Sequence, residues 1–204
     1  MDAHLRAGIA IYNAGGRHAA HDAWEDRWLD LEDGPDERFL HGLIQFTAAV
    51  YHGYEGNWAG LRGLAESGRG YLGDLPAEYR GVNVGEVRGY LGALAADPEH
   101  VERVAPPALC YEGRTLGLGD LDFAATAVAA EVLAEEVEGY DPGVIEDAVR
   151  YAESAVEAGE SNAFVGLVTD FVAEAGDRDL IYTRLRQHVQ RRRGEERDVE
   201  GLFD

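Results

Sequence analysis

Lysine does not occur in this chain of 204 residues: all 18 basic side chains are arginine, set against 39 acidic ones for a formal charge of −21. Cysteine occurs once, at Cys110, which excludes an internal disulfide framework and any Cys-rich zinc or iron–sulfur centre. Apolar runs stop well short of the ~18 residues a bilayer-spanning helix requires, so no membrane partner is expected. No basic-then-apolar cleavable leader follows Met1, so a secretion signal is not expected either. What is present is 46% hydrophobic residues, enough to bury a core and to exclude wholesale disorder. The expectation is a soluble, cytoplasmic protein of one domain, or one domain plus an extension.

The acid is spread evenly. Residues 1–102 carry 17 acids and 8 arginines, and residues 103–204 carry 22 and 10, for local charges of −9 and −12. A localised acidic tail reads as an interaction arm, whereas an even coat reads as adaptation to solvent. Self-repulsion at this density opposes a compact state in dilute buffer. Together with the missing lysine, this points to high salt as solvent and to an extreme halophile as source, the alternative being an ordinary acidic protein from a GC-rich genome, which also favours arginine. Nucleic acid is excluded as a partner, because its affinity comes from phosphate neutralisation. The one basic run, Arg191–Arg193, sits near a helix end where cations complement the dipole.

Periodicity is helical almost throughout. The pattern predicts an all-α helical bundle of eight or nine helices, with at most one short β-hairpin near residues 108–118. Residues 1–98 read as a helical core domain and 99–204 as a hairpin and helical extension packed on it. Expected caps are Asp2, Asn83 (with Glu86, as a capping box), Asp120, Asp141, Ser161 and Asp177. Gly56, Gly60 and Gly63 lie three and four apart, a side-chain-free face that would let another helix approach closely.

Chemistry-bearing residues concentrate in the first half. His21 and Glu25 share a face of the second helix with Trp28, and Asp22 lies beside them. On the third helix His41, Gln45 and His52 fall within about 40° of each other at 100° per residue, on a helix otherwise apolar nearly all round and therefore buried. These stripes have two readings. In one they face each other in an antiparallel pair and form a site: His21, Glu25 and His52 bind a divalent metal or small polar ligand, Gln45 or Asp22 supports them, and Glu25 serves as general base. Nitrogen and oxygen ligands of this kind suit zinc, iron, manganese or nickel alike. In the other the stripes are a structural polar network, and the protein is a non-enzymatic interaction module acting as a homodimer or with another protein. Cys110, with no adjacent histidine, reads as an inert thiol, and His188 as a partly buried histidine of the last helix.

The run His21-Asp22-Ala23-Trp24-Glu25-Asp26-Arg27-Trp28 resembles the H-E-x-x-E-x-x-W element of the prokaryotic domain of unknown function 309 family. Gly42-Leu43-Ile44-Gln45, Ala48-Ala49, Tyr51-His52, Gly56-Asn57 and Gly60 resemble its second element, in the same order and spacing. The resemblance spans about residues 1–95. It implies a compact all-helical fold of bacteria and archaea, here in a halophilic archaeal version, and no established activity. The family's polar motif positions fall on His21, Asp22, Glu25, Gln45, His52 and Asn57, which adds Asn57 to the binding candidates beside Gln45. The sequence departs from the family at Asp22 (glutamate is usual), at His41 (glutamine) and at Asn83 (aspartate). The shorter Asp22 is for that reason left out of the expected ligand set.

Raising KCl from about 0.1 M to about 1 M shortens the Debye length from ~10 Å to ~3 Å. The melting temperature is expected to rise by at least several degrees over that range, and an unchanged value would remove the halophilic reading.

Overall fold

The structure, a computed structural model, describes residues 1–200. Among them are ten helices: α1 Asp2–Asn13, α2 Arg17–Leu29, α3 Pro35–Tyr54, α4 Trp58–Tyr71, α5 Val84–Ala96, α6 His100–Arg103, α7 Phe123–Glu136, α8 Pro142–Glu157, α9 Ala163–Ala173 and α10 Arg178–Glu200. One antiparallel hairpin joins β1 Cys110–Tyr111 to β2 Arg114–Thr115. The mostly-α expectation holds. The tenth helix, beyond the expected eight or nine, is the four-residue α6, too short to show a 3.6-residue period. The chain divides into two compact units, Met1–Leu121 and Asp122–Asp204.

In the first unit α3 is the central element. Pro35 opens it, with Asp36 and Glu37 in its first turn, where acids complement the helix dipole. Phe39, Leu40, Leu43, Phe46, Ala49 and Val50 are all fully buried, so a broad face of it is core. Tyr12 of α1 meets Phe46 at 5.4 Å between ring centroids, and Tyr90 of α5 meets it edge-on at 6.3 Å. Trp28 of α2 and Tyr71 of α4 sandwich His41, at 4.5 and 3.8 Å. Asp36 accepts hydrogen bonds from the Tyr79 hydroxyl (2.7 Å) and Arg80 Nε (2.9 Å). The Arg80 guanidinium above all holds the Asp36 carboxyl below its ordinary range.

The hairpin belongs to this first unit, which runs to Leu121. Two asparagines explain why. Asn13, at the end of α1, donates to Leu109 and Leu116 carbonyls (2.9 Å each) and accepts from Leu109 N–H (3.0 Å). Asn83 accepts from Cys110 N–H (2.9 Å) and donates to Ala108 C=O and Glu86. Its side chain therefore ties the hairpin to α5 rather than capping that helix, correcting the capping-box expectation. Glu112 and Gly113 both adopt positive φ (50° and 74°), as the two-residue turn of a tight hairpin requires. Cys110 lies in this hairpin, its Sγ 3.8 Å from Thr115 Oγ1.

In the second unit α9 packs on α7, α8 and α10. Phe164, Val168, Phe171 and Val172 of α9 are buried, as are Leu185 and Val189 of α10. His188 sits edge-on against Phe164 at 5.9 Å. Asp141 caps α8 as expected, accepting from Gly143 N–H. The caps expected at Asp120 and Ser161 are instead Asp122 and Asn162, one or two residues nearer the helix. The basic run is engaged within the unit: Arg193 pairs with Asp147 and donates to the Gly143 carbonyl (3.0 Å), and Arg192 lies over the Tyr151 ring.

The glycine-face expectation is overturned. A Cβ at Gly63 would meet nothing within 4 Å, and the atoms nearest one at Gly60 belong to the Asn57 side chain. Close approach to α4 is made instead by Gly42 and Gly53 of α3, where a Cβ would come within 2.5 Å of Leu72 and 2.7 Å of Leu61. Spacing identifies which glycines share a face, but neighbours decide which face is covered. The tightest case is Gly8, where a Cβ would lie 2.1 Å from Nε1 of the fully buried Trp24. Gly8→Ala is expected to destabilise by about 1–3 kcal/mol through overpacking. Gly63→Ala is expected to stabilise by about 0.5–1 kcal/mol. Chemical denaturation midpoints in molar salt check both signs.

Candidate functional site

Helices α2 and α3 run antiparallel. Trp28, near the end of α2, meets His41 in the first half of α3, while His18, at the start of α2, lies 6.2 Å from Tyr51 near the end of α3. Between the latter two ends is a cleft of about 200 Å³ lined by Arg17, His18 and His21 of α2 and Thr47, Ala48, Tyr51 and His52 of α3. Three of the chain's seven histidines therefore share one small cavity. Arg17 lies with its guanidinium 4.5 Å above the Tyr54 ring, and its Nε is buried without a hydrogen-bond partner.

The hydrogen bonds around the cleft orient its rings. Asn57 accepts from Gly60 N–H through Oδ1 at 3.0 Å, capping α4. That bond assigns the amide, so Nδ2 is the atom facing His52 Nδ1 at 3.0 Å. An amide nitrogen only donates. His52 Nδ1 is therefore the acceptor, and the neutral ring carries its proton on Nε2. His21 is the reverse: its Nδ1 lies 3.0 Å from Asp22 Oδ1 and 3.8 Å from Glu25 Oε2, so the proton belongs on Nδ1. His18 Nδ1 approaches the other oxygen of Asp22, at 3.4 Å. In the neutral state His52 thus carries a donor, and His21 an acceptor, at Nε2.

The sequence-predicted residues separate accordingly. His21 and His52 both line the cleft, whereas Gln45, Glu25 and Asn57 do not. Gln45 faces α4, where a Cβ on Gly68 would lie 3.0 Å from its own. Glu25 is turned to His21 Nδ1 rather than to the cavity, a poor placement for a general base. Asn57 acts from behind His52, as its orienting partner. His41 is consumed by packing, with Nδ1 3.3 Å from Glu37 Oε1, the same atom that accepts from Trp28 Nε1 at 2.7 Å. The stripe was right in angle, but His41 and His52 are eleven residues, roughly 16 Å, apart along the helix and so meet different neighbours. Arg17, His18, Thr47 and Tyr51 were missed. The available signal was two parallel His-x-x-x-acid pairs, His18–Asp22 and His21–Glu25, and the shared helical face of Thr47, Ala48, Tyr51 and His52.

His21, Asp22 and Glu25 each offer one ligand atom within 4.8 Å of the other two, and all three are partly buried. His52, expected as a ligand, is not in that group, and Asp22, left out, is.

Residues 5–64 match the model of the family described as Domain of unknown function (DUF309). That segment contains both walls of the cleft. A curated relative described as an uncharacterized protein of Aquifex aeolicus is 27% identical over 107 residues, covering 52% of this chain. The match covers 31% of that relative, so the chain aligns with about a third of its length. No helix among the described residues is long and apolar enough to cross a membrane.

Asn57→Asp keeps the cap oxygen and removes the donor to His52. It is expected to leave stability within about 0.5 kcal/mol, since Asp and Asn cap comparably, and to move the His52 ring proton from Nε2 to Nδ1. Ring ¹⁵N chemical shifts read the tautomer directly, and an unchanged pattern would show that Asn57 does not set it.

Proposed function

We propose that the α2–α3 cleft binds a small anion, a carboxylate or a phosphate group. The observation that carries this reading is that Arg17 and His52, whose ring proton sits on Nε2, both line one cavity in a chain of charge −21. Asp22 and Glu25 do not compete for that space, because both are turned to the Nδ1 edges of His18 and His21. A volume of about 200 Å³ lies below the ~300–1,000 Å³ typical of drug-sized ligands, which favours an occupant of a few non-hydrogen atoms. Tyr51 and Ala48 supply apolar walls, as small-molecule sites usually have. The family match carries no activity with it, so the chemistry must be argued from this cleft. The even acidic coat supports a salt-rich cytoplasm, and a halophilic archaeal source, as the setting.

Calorimetric titration with acetate and with inorganic phosphate, at fixed ionic strength, tests the proposal. A charge-assisted hydrogen bond contributes about 1.5–3 kcal/mol, so Arg17→Gln is expected to weaken binding at least ~tenfold. Arg62→Gln, on the exposed side of α4, should leave it unchanged. Absence of binding by the unmodified protein, or equal losses in the two variants, would overturn the reading.

A further inference from the structure

We propose that the ligand of the α2–α3 cleft is an aromatic acid, one flat ring carrying a carboxylate or a phosphate group. This inference rests on the anion reading and names what the anion is attached to. The cleft holds more space than a bare anion fills. A cavity of about 150 Å³ admits a benzene ring, and this one measures about 200 Å³, room for one ring beside its charged group. The surface it presents is more apolar than polar. A bare anion would leave that apolar wall in contact with water, whereas a ring covers it.

The walls also select a flat occupant. Of the seven lining residues, Arg17, His18, His21, Tyr51 and His52 end in planar groups. Aromatic rings and the guanidinium group favour a second π system over a saturated chain of equal size. Tyr51 is the ring best placed for such contact. It lines the cleft yet is 43% exposed. Its imidazole neighbours, His18 and His52, stand at 68° and 71° to its plane. Among the described residues no aromatic ring lies parallel on it, so ring surface is left for a ligand. Tyr54 is three residues further along α3 and therefore on the same side of the helix. Its ring centre lies 4.5 Å from the Arg17 guanidinium carbon, which keeps that charge beside Tyr51. Charge and open ring surface thus adjoin, as an aromatic acid requires.

Calorimetric titration of the full chain at fixed pH and ionic strength tests the ligand class in two arms. One compares acetate, benzoate and cyclohexanecarboxylate, and the other compares inorganic phosphate, phenyl phosphate and cyclohexyl phosphate. In at least one arm the aromatic ligand is expected to bind at least ~tenfold tighter than the bare anion. It should also bind roughly three- to tenfold tighter than its saturated counterpart. The tighter of benzoate and phenyl phosphate tells which anion the ring carries. Tyr51→Leu keeps the wall apolar and should bring the aromatic-to-saturated ratio close to one, while circular dichroism shows the fold intact. No gain from the ring in either arm, a saturated ring bound as tightly as the flat one in both, or a preference that survives Tyr51→Leu would each overturn the proposal. Acetate or phosphate bound without any gain from the ring would leave the anion reading standing. Neutral benzamide bound as tightly as benzoate would instead remove that reading.

Discussion

A twenty-residue helix that is mostly apolar has to be covered along most of its surface, and in the first unit that requirement falls on α3. Its neighbours meet it through specific pieces: Tyr12, Trp28, Tyr71 and Tyr90 as ring contacts, Leu61 and Leu72 against its two glycines. Each full-size buried side chain contributes on the order of 1.5–3 kcal/mol relative to exposure, so no other element of this unit has comparable weight. The loop at Tyr79–Arg80 anchors its first turn through Asp36. The remaining elements of the unit arrange themselves around a helix whose position is set by burial.

That arrangement also decides where chemistry can occur. Because α2 lies antiparallel to α3, the polar stripe of α3 is split between two environments. At one end His41 is closed between Trp28 and Tyr71 and hydrogen-bonded to Glu37. At the other, the start of α2 leaves a cleft next to His52, and the α3–α4 turn supplies Asn57. One asparagine then performs two tasks, capping α4 with its oxygen and fixing the His52 tautomer with its nitrogen. Local helix chemistry and site chemistry are joined in that side chain.

The acidic coat and the cleft are complementary features. An even excess of carboxylate keeps the surface repulsive and hydrated, and concentrated salt screens the repulsion. Against this background Arg17, His18, His21 and His52 form a local exception. The two carboxylates nearest them are turned to imidazole nitrogens.

Much of this molecule is legible in residue order alone. The 3.6-residue period of each long helix, the turn at Glu112-Gly113, the buried nature of α3 and the presence of chemistry on α2 and α3 follow from local patterns, because backbone geometry repeats along one chain. The motifs His21–Trp28 and Gly42–Gly60 also pointed to the family whose model matches residues 5–64. Other features depend on who sits opposite. Gly42 rather than Gly63 faces a partner, and Asn83 reaches across to Cys110 instead of capping its own helix. Gln45 turns toward α4, and Asp22 rather than His52 lies beside His21 and Glu25. A helical wheel reports angle but neither axial position nor the neighbour's identity, and hydrogen-bond partners distant in sequence have no periodic signature. The residue types of the site were therefore written in the chain, while their grouping and their protonation came from the packing of α2 and α4 against α3.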